Sequence, residues 1–438
     1  MRKKSVFLQI ISDLDLASPR MRFEFFIASR LKLSNKIKSG SPSLTVALVG
    51  MILAIIIIIL SVEIVMGFKK EITTKINSLD SHLKVTNGAI GIDDNYSLVD
   101  FREVSNTLTK DSDLINKMTN FSLIAEKPAI LKTDNDFKGL QFRGVDEDYD
   151  FSFLKQHLLE GRVPTFDQVS NNQEIILSST IAKQLNLKVN DKIFTYFIDD
   201  KVKVRNCKIV GIFNTDFDTF DKSYIIGNIA LLQSVNDWKI HEGNYVGVNL
   251  NDVSNVEKDA YNLYGKLAMQ SINDNDNTTV YNVTSTRQNN IAFFTWLGML
   301  DMNVVIILVL MMIVSAFTLI AALLMVVLER IKMIGLMKAL GANNSSIRRI
   351  FIFLTHKIIF KSIIIGNLLG IGLGLLQKHF HIIKLDPNAY YMNYVPIDIN
   401  ITSLVLLNIA ILVICYVTLI GPSYIVSTIK PTSTMKFE

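Results

Sequence analysis

Four stretches of this 438-residue chain contain no Asp, Glu, Lys or Arg, and nothing else in it constrains the fold as much. They cover residues 39–62, 302–328, 362–377 and 399–429, with lengths of 24, 27, 16 and 31. A hydrocarbon layer about 30 Å thick takes about 20 apolar residues of helix. Three stretches satisfy that outright. The third does so if its helix starts near Ile358, with Lys361 inside the span and Lys357 at its edge, one turn apart. Snorkelling to the headgroups explains both lysines more simply than a proton or ion relay. Only 19% of residues are charged, too few for a wholly water-facing chain and too many for one made of spans alone. The expected fold class is therefore an α-helical membrane protein with four transmembrane helices plus a large α+β extracytoplasmic domain inserted between helices 1 and 2.

Orientation follows from the flanking basic residues. Nine precede residue 39, against three acids, and the short loop after the second span holds Arg330, Lys332, Lys338, Arg348 and Arg349. Both segments are expected in the cytoplasm, as are both termini. Residues 67–290 hold 25 basic and 31 acidic side chains, a balance of −6, so the rest of the +5 chain carries +11. That asymmetry argues against nucleic acid as a partner. No short apolar segment with a small-residue cleavage site precedes residue 39, so the first span is expected to be an uncleaved anchor.

Beyond the first span, Phe68, Ile72, Ile76 and Leu79 recur every three or four positions, which predicts that its helix continues outward as a stalk. Strands are expected at 123–125, 129–132, 139–144, 201–213, 222–226 and 244–250, helices at 178–187 and 229–235, and turns at 133–136 and 190–192. About 220 residues make room for a domain with its own core, expected as two subdomains. Little in it suggests chemistry. His82, His157 and His241 are scattered, and the acidic run Asp146, Glu147, Asp148 and Asp150 lacks the glycine and closing glutamate of a calcium loop. His379 and His381 have no third ligand nearby, and Cys207 and Cys415 make neither a disulfide scaffold nor a thiolate cluster. No catalytic, cofactor or metal residue is assigned, and the chain is not expected to be an enzyme.

The segment 329–351, ERIKMIGLMKALGANNSSIRRIF, carries the most information. Met333, Leu336, Met337 and Leu340 form an apolar stripe on a short helix, Gly341 suits a left-handed C-terminal cap, and Asn344 or Ser345 can cap the next helix. On physical grounds it is either an interfacial helix in the headgroups or a docking surface for a cytoplasmic protein.

MKALGANNSSIRRIF (337–351) resembles the signature of the FtsX/MacB-type permease family, where a helix after the second span contacts a cytoplasmic ATPase. FEFFIASRLKLS (23–34) is similar to the elbow helix of lipoprotein-releasing permeases of the LolC/LolE type, LSVEIVMGFKKEI (60–72) to their span-to-stalk junction, and IKPTSTMKFE (429–438) to their terminus. FRGVDEDYDF, EIILSSTIAKQLNLKVNDKI and IVGIFNTDFDTFDKSYIIGNIALLQSV resemble segments of their external domain. Two departures stand out: Glu63, Ile64 and Val65 precede Met66 and Gly67 at the junction, and Ser178, Ser179 and Asn190 occupy places where relatives often have glycine.

The resemblance implies a MacB/FtsX-like permease with this layout: a cytoplasmic segment with its elbow (1–43), first span (44–66), periplasmic α+β domain with a MacB-like core (67–290), second span (291–328), coupling helix (329–349), third span (350–376), periplasmic loop (377–398), fourth span (399–427) and cytoplasmic tail (428–438). The chain lacks the glycine-rich ATP-binding loop, since its one Gly-Lys pair, Gly265-Lys266, is followed by Leu267. ATP and Mg are therefore expected on a partner, a cytoplasmic ABC ATPase dimer. Ile331, Met333, Ile334, Leu336, Met337, Lys338, Leu340 and Gly341 are expected to contact it. Other expected partners are a second permease protomer (identical or a paralogue), membrane lipid, a lipoprotein substrate and a periplasmic lipoprotein carrier, all at a bacterial inner membrane. Ile55, Ile58, Ile59 and Val62 are expected on a lipid-facing cavity, and Gly366, Gly370 and Gly374 on a helix-packing face. The alternatives are a MacB-type exporter of peptides or amphiphiles and an FtsX-like protein that signals to a cell-wall hydrolase. Total length and the segments 23–34 and 429–438 favour lipoprotein release.

Overall fold

The computed structural model describes residues 42–88, 98–166, 173–198, 201–273 and 279–428. Four helices in it are long and apolar enough to cross a membrane: Pro42–Leu79, Ile291–Glu329, Asn344–Phe380 and Ile401–Thr428. The first runs unbroken past its apolar stretch, as the stalk periodicity predicts, and Ile72, Ile76 and Leu79 are buried. The third begins at Asn344, earlier than residue 350, because the backbone turns at Gly341 and Asn343 takes the N-cap position instead of Asn344 or Ser345. Met51, Ile55, Ile58 and Ile59 of the first helix, Leu323 and Val327 of the second, Phe351 and Ile359 of the third, and Ile411 and Cys415 of the fourth share one apolar core.

Among its described residues the inserted domain contains twelve strands: β1 (Leu83–Asn87), β2 (Val99–Asp100), β3 (Met118–Lys132), β4 (Phe137–Val145), β5 (Leu158–Gly161), β6 (Glu174–Ser178), β7 (Lys192–Ile198), β8 (Val202–Phe213), β9 (Tyr224–Asn228), β10 (Glu242–Gly243), β11 (Tyr245–Leu250) and β12 (Tyr281–Ser285). Ten of them make one sheet in the order β12-β1-β11-β3-β4-β9-β6-β8-β5, with β7 beside β3 and β8. A single sheet thus runs through the domain. The reason is β3, expected as two short strands around Pro128 but continuous over 15 residues. On one edge β3 pairs with β11 as far as Ile124 and with β7 from Ala129 onward. Pro128 falls in the gap, where its missing N–H costs no ladder bond on that edge.

Helices cover the sheet with regularly spaced apolar residues: Ala260, Leu263 and Leu267 from Val256–Asn273, and Val104 and Leu108 from Phe101–Lys110. Ser178 caps the helix Ser179–Leu185 by accepting from the Ile181 amide at 3.1 Å. Asn190 has φ 75°, a left-handed conformation that asparagine tolerates better than most residues.

Candidate functional site

The short helix Ile331–Ala339 sits between the second and third spans and ends in a Schellman closure. Gly341 has φ +90°, its amide donates to the Lys338 carbonyl at 3.0 Å, and the Ala342 amide donates to that of Met337 at 2.9 Å. One face is anchored. Ile334 is fully buried in the cluster that holds Ile347 and Phe351, and Met333 and Met337 pack against it half-buried. The opposite face carries Leu336 and Leu340, 57% and 80% exposed, beside Lys332. The four-residue stripe expected from the sequence is thus divided: the methionines turn inward with Ile334, and the leucines turn outward. Ile331 and Lys338 lie between, partly buried.

Gly366, Gly370 and Gly374 lie on a helix-packing face, and its counterpart is the first span. A Cβ on Gly366 would meet the Ile55 side chain at 2.7 Å, one on Gly370 would meet Ile59 at 3.2 Å, and one on Gly374 would overlap the Glu63 carboxylate. On the first helix itself, one turn beyond Glu63, a Cβ on Gly67 would come within 2.6 Å of the Pro396 carbonyl oxygen. The amide of Asp398 donates to the Glu63 carbonyl at 3.2 Å beside it. Two helices matched at every fourth residue approach closely because one side of the seam has no side chains.

This seam corrects the lipid-facing assignment. Ile55, Ile58 and Ile59 are 2%, 2% and 1% exposed, packed inside the bundle of their own chain, and Val62 is half-buried. The outward face of that span carries Val46, Val49, Leu53 and Ile57 instead. Glu63 is 2% exposed, and neither carboxylate oxygen has a hydrogen-bond partner among the described residues. Lys357 and Lys361 lie on the exposed side of the third helix, the side that snorkelling requires. Between the third and fourth helices, Asn367 and Asn408 exchange amide hydrogen bonds of 2.7 and 2.9 Å, and each also donates to a carbonyl one turn back in its own helix.

Comparison with known proteins accounts for both parts of the chain. Residues 44–260 match the family model of the MacB-like periplasmic core domain, and residues 305–431 match that of the FtsX-like permease C-terminal region. This chain belongs to the FtsX/MacB-like permeases. It is similar to an uncharacterised membrane protein of Buchnera aphidicola subsp. Schizaphis graminum, 24% identical over 94% of this chain and 98% of that one. It is also similar to the lipoprotein-releasing system transmembrane protein LolC of Xylella fastidiosa strain 9a5c, 20% identical over 90% and 93%. LolE of Haemophilus influenzae is 22% identical over 88% and 92%.

The FtsX-like match takes in the short helix, the glycines of the seam and the whole of the fourth span of this permease. The elbow expected within 1–43 and the terminal motif 429–438 lie outside the described residues.

Two cations of the periplasmic domain had no sequence signal. Arg143, 4% exposed, donates through Nε to Glu126 at 2.7 Å and through Nη1 to the carbonyl of Leu79, the last residue of the first helix, at 2.6 Å. A guanidinium there offsets the partial negative charge of the helix C-terminus. The second is Lys75, on the stalk itself. The acidic run turns out to be structural: Asp146 accepts from the Leu123 amide at 2.6 Å and Asp150 from that of Ser152 at 2.8 Å. Burial pushes the Asp146 carboxyl up to about 7.

Proposed function

We propose that this chain is the transmembrane subunit of an ABC transporter that extracts lipoproteins from the outer leaflet of the bacterial inner membrane, with both termini in the cytoplasm. The observation that carries the reading is the divided short helix. Its Ile334 face is packed against the third span, while Leu336 and Leu340 stay open to a partner. A surface anchored on one side and apolar on the other can pass a push from a cytoplasmic protein directly into the bundle. That protein is an ATPase dimer holding ATP and Mg; this chain itself is non-catalytic and moves its periplasmic domain in response. The names of the LolC and LolE relatives supply the cargo class. A second permease protomer completes the complex, and a periplasmic carrier receives the lipoprotein.

Leu336→Glu places a charge at the centre of the open face. It is expected to abolish co-purification with the cognate ABC ATPase while leaving membrane insertion intact; undiminished co-purification would remove the coupling role. Reconstituted with that ATPase, the permease is expected to release a triacylated lipoprotein to a soluble carrier only with ATP. Equal release without ATP would refute the proposal.

A further inference from the structure

The stalk, the loop after β8 and the loop between the third and fourth spans meet at one ammonium group. Lys75 is 4% exposed. Its Nζ donates to the backbone carbonyls of Thr215 and Tyr391, each at 2.9 Å. Tyr391 and the residue after Thr215 are held in unusual conformations: Asp216 has φ 54° and Tyr391 φ 59°, both left-handed without being glycine. Asn393 donates its amide to Asp216 at the rim. The Tyr391 ring packs 5.2 Å from Phe217 and 6.4 Å from Trp296 between centroids. Residues 383–395 accordingly group with the periplasmic domain, although the chain on both sides of them belongs to the membrane helices.

We infer that Lys75 is a latch that makes the loop 383–395 part of the moving periplasmic body. The loop continues covalently into the third and fourth spans, so a displaced stalk pulls on both of them through its ends. A methionine would fill the same space without a charge. An ammonium here instead satisfies two carbonyls from segments 176 residues apart in sequence (215 and 391), and its loss strands both. The functional consequence rests on the motion proposed above, whereas the latch itself does not.

The test is amide hydrogen exchange on the full chain in nanodiscs, with no cargo or nucleotide. The amides of Leu385, Tyr391 and Val395 are bonded within the loop and report on it. In Lys75→Met they are expected to exchange about tenfold faster or more, with the β1–β12 amides unchanged. Joining Asp216→Cys to Asn393→Cys by oxidation in the Lys75→Met background is expected to restore the slow exchange. Unchanged exchange in the loop would overturn the latch, and so would equal acceleration throughout the domain, which would make Lys75 an ordinary core residue. If Lys75→Met does not insert, Asn393→Ala provides the same test at the rim, with faster exchange confined to the loop expected and no change overturning the inference. Because no transport is measured, failure of the latch and failure of the lipoprotein reading are distinguishable.

Discussion

The first and second spans are equally apolar, yet 39% of the most apolar stretch of the first is buried within the chain and only 6% of that of the second. The difference lies in their neighbours. The first has a glycine-lined helix against it, while the second turns Ile306, Leu310, Ile313 and Phe317 outward along one stripe. Hydrophobicity takes a helix into the membrane; which face finds protein and which finds lipid or a second copy depends on what the adjacent helix leaves out.

The contrast breaks most completely if the seam is filled. Gly366→Leu drives a side chain into Ile55 and is expected to destabilise the bundle by about 3 kcal/mol or to prevent its assembly, whereas Val309→Leu on the outward face is expected to shift the melting temperature in detergent negligibly. Comparable losses at the two sites would mean that the seam is not the close contact described. The contrast is sharpened by cross-linking in membranes. Ile306→Cys is expected to give a disulfide-linked dimer and Ile58→Cys none; dimers from both would refute the burial of the first span. The smallest effect concerns Glu63, a buried carboxylate without a hydrogen-bond partner among the described residues. Glu63→Gln keeps the shape and removes the ionisable group, and is expected to raise stability by about 1 kcal/mol. A fall in the melting temperature would show that the carboxylate is held by a contact of its own.

These differences also mark where the sequence is informative. Four helices were legible because apolar length is a property of each segment alone. The glycines at spacing four announced close packing, but not its partner, since Ile55 and Ile59 look the same facing lipid or a helix; hence their misplacement on a cavity. Gly341 was readable as a cap because few residues other than glycine adopt φ +90° readily. The split of the short helix between the second and third spans was not, because Met333 and Leu336 are equivalent until the third helix takes one side. Lys75 and Arg143 escaped notice for a different reason. Their acceptors include backbone carbonyls, and a carbonyl leaves no trace in residue identity.

The pairing of β1 with β12 has a consequence for biogenesis. Leu83 lies opposite Ser285, so the first and last strands of the domain are neighbours although about 200 residues of chain separate them. While the chain is being made and exported, β1 waits for its partner until nearly the whole domain has crossed the membrane, and the sheet closes only as the second span reaches the translocon. For most of its synthesis this permease therefore presents an unfinished sheet edge, a substrate for periplasmic chaperones before it is a transporter.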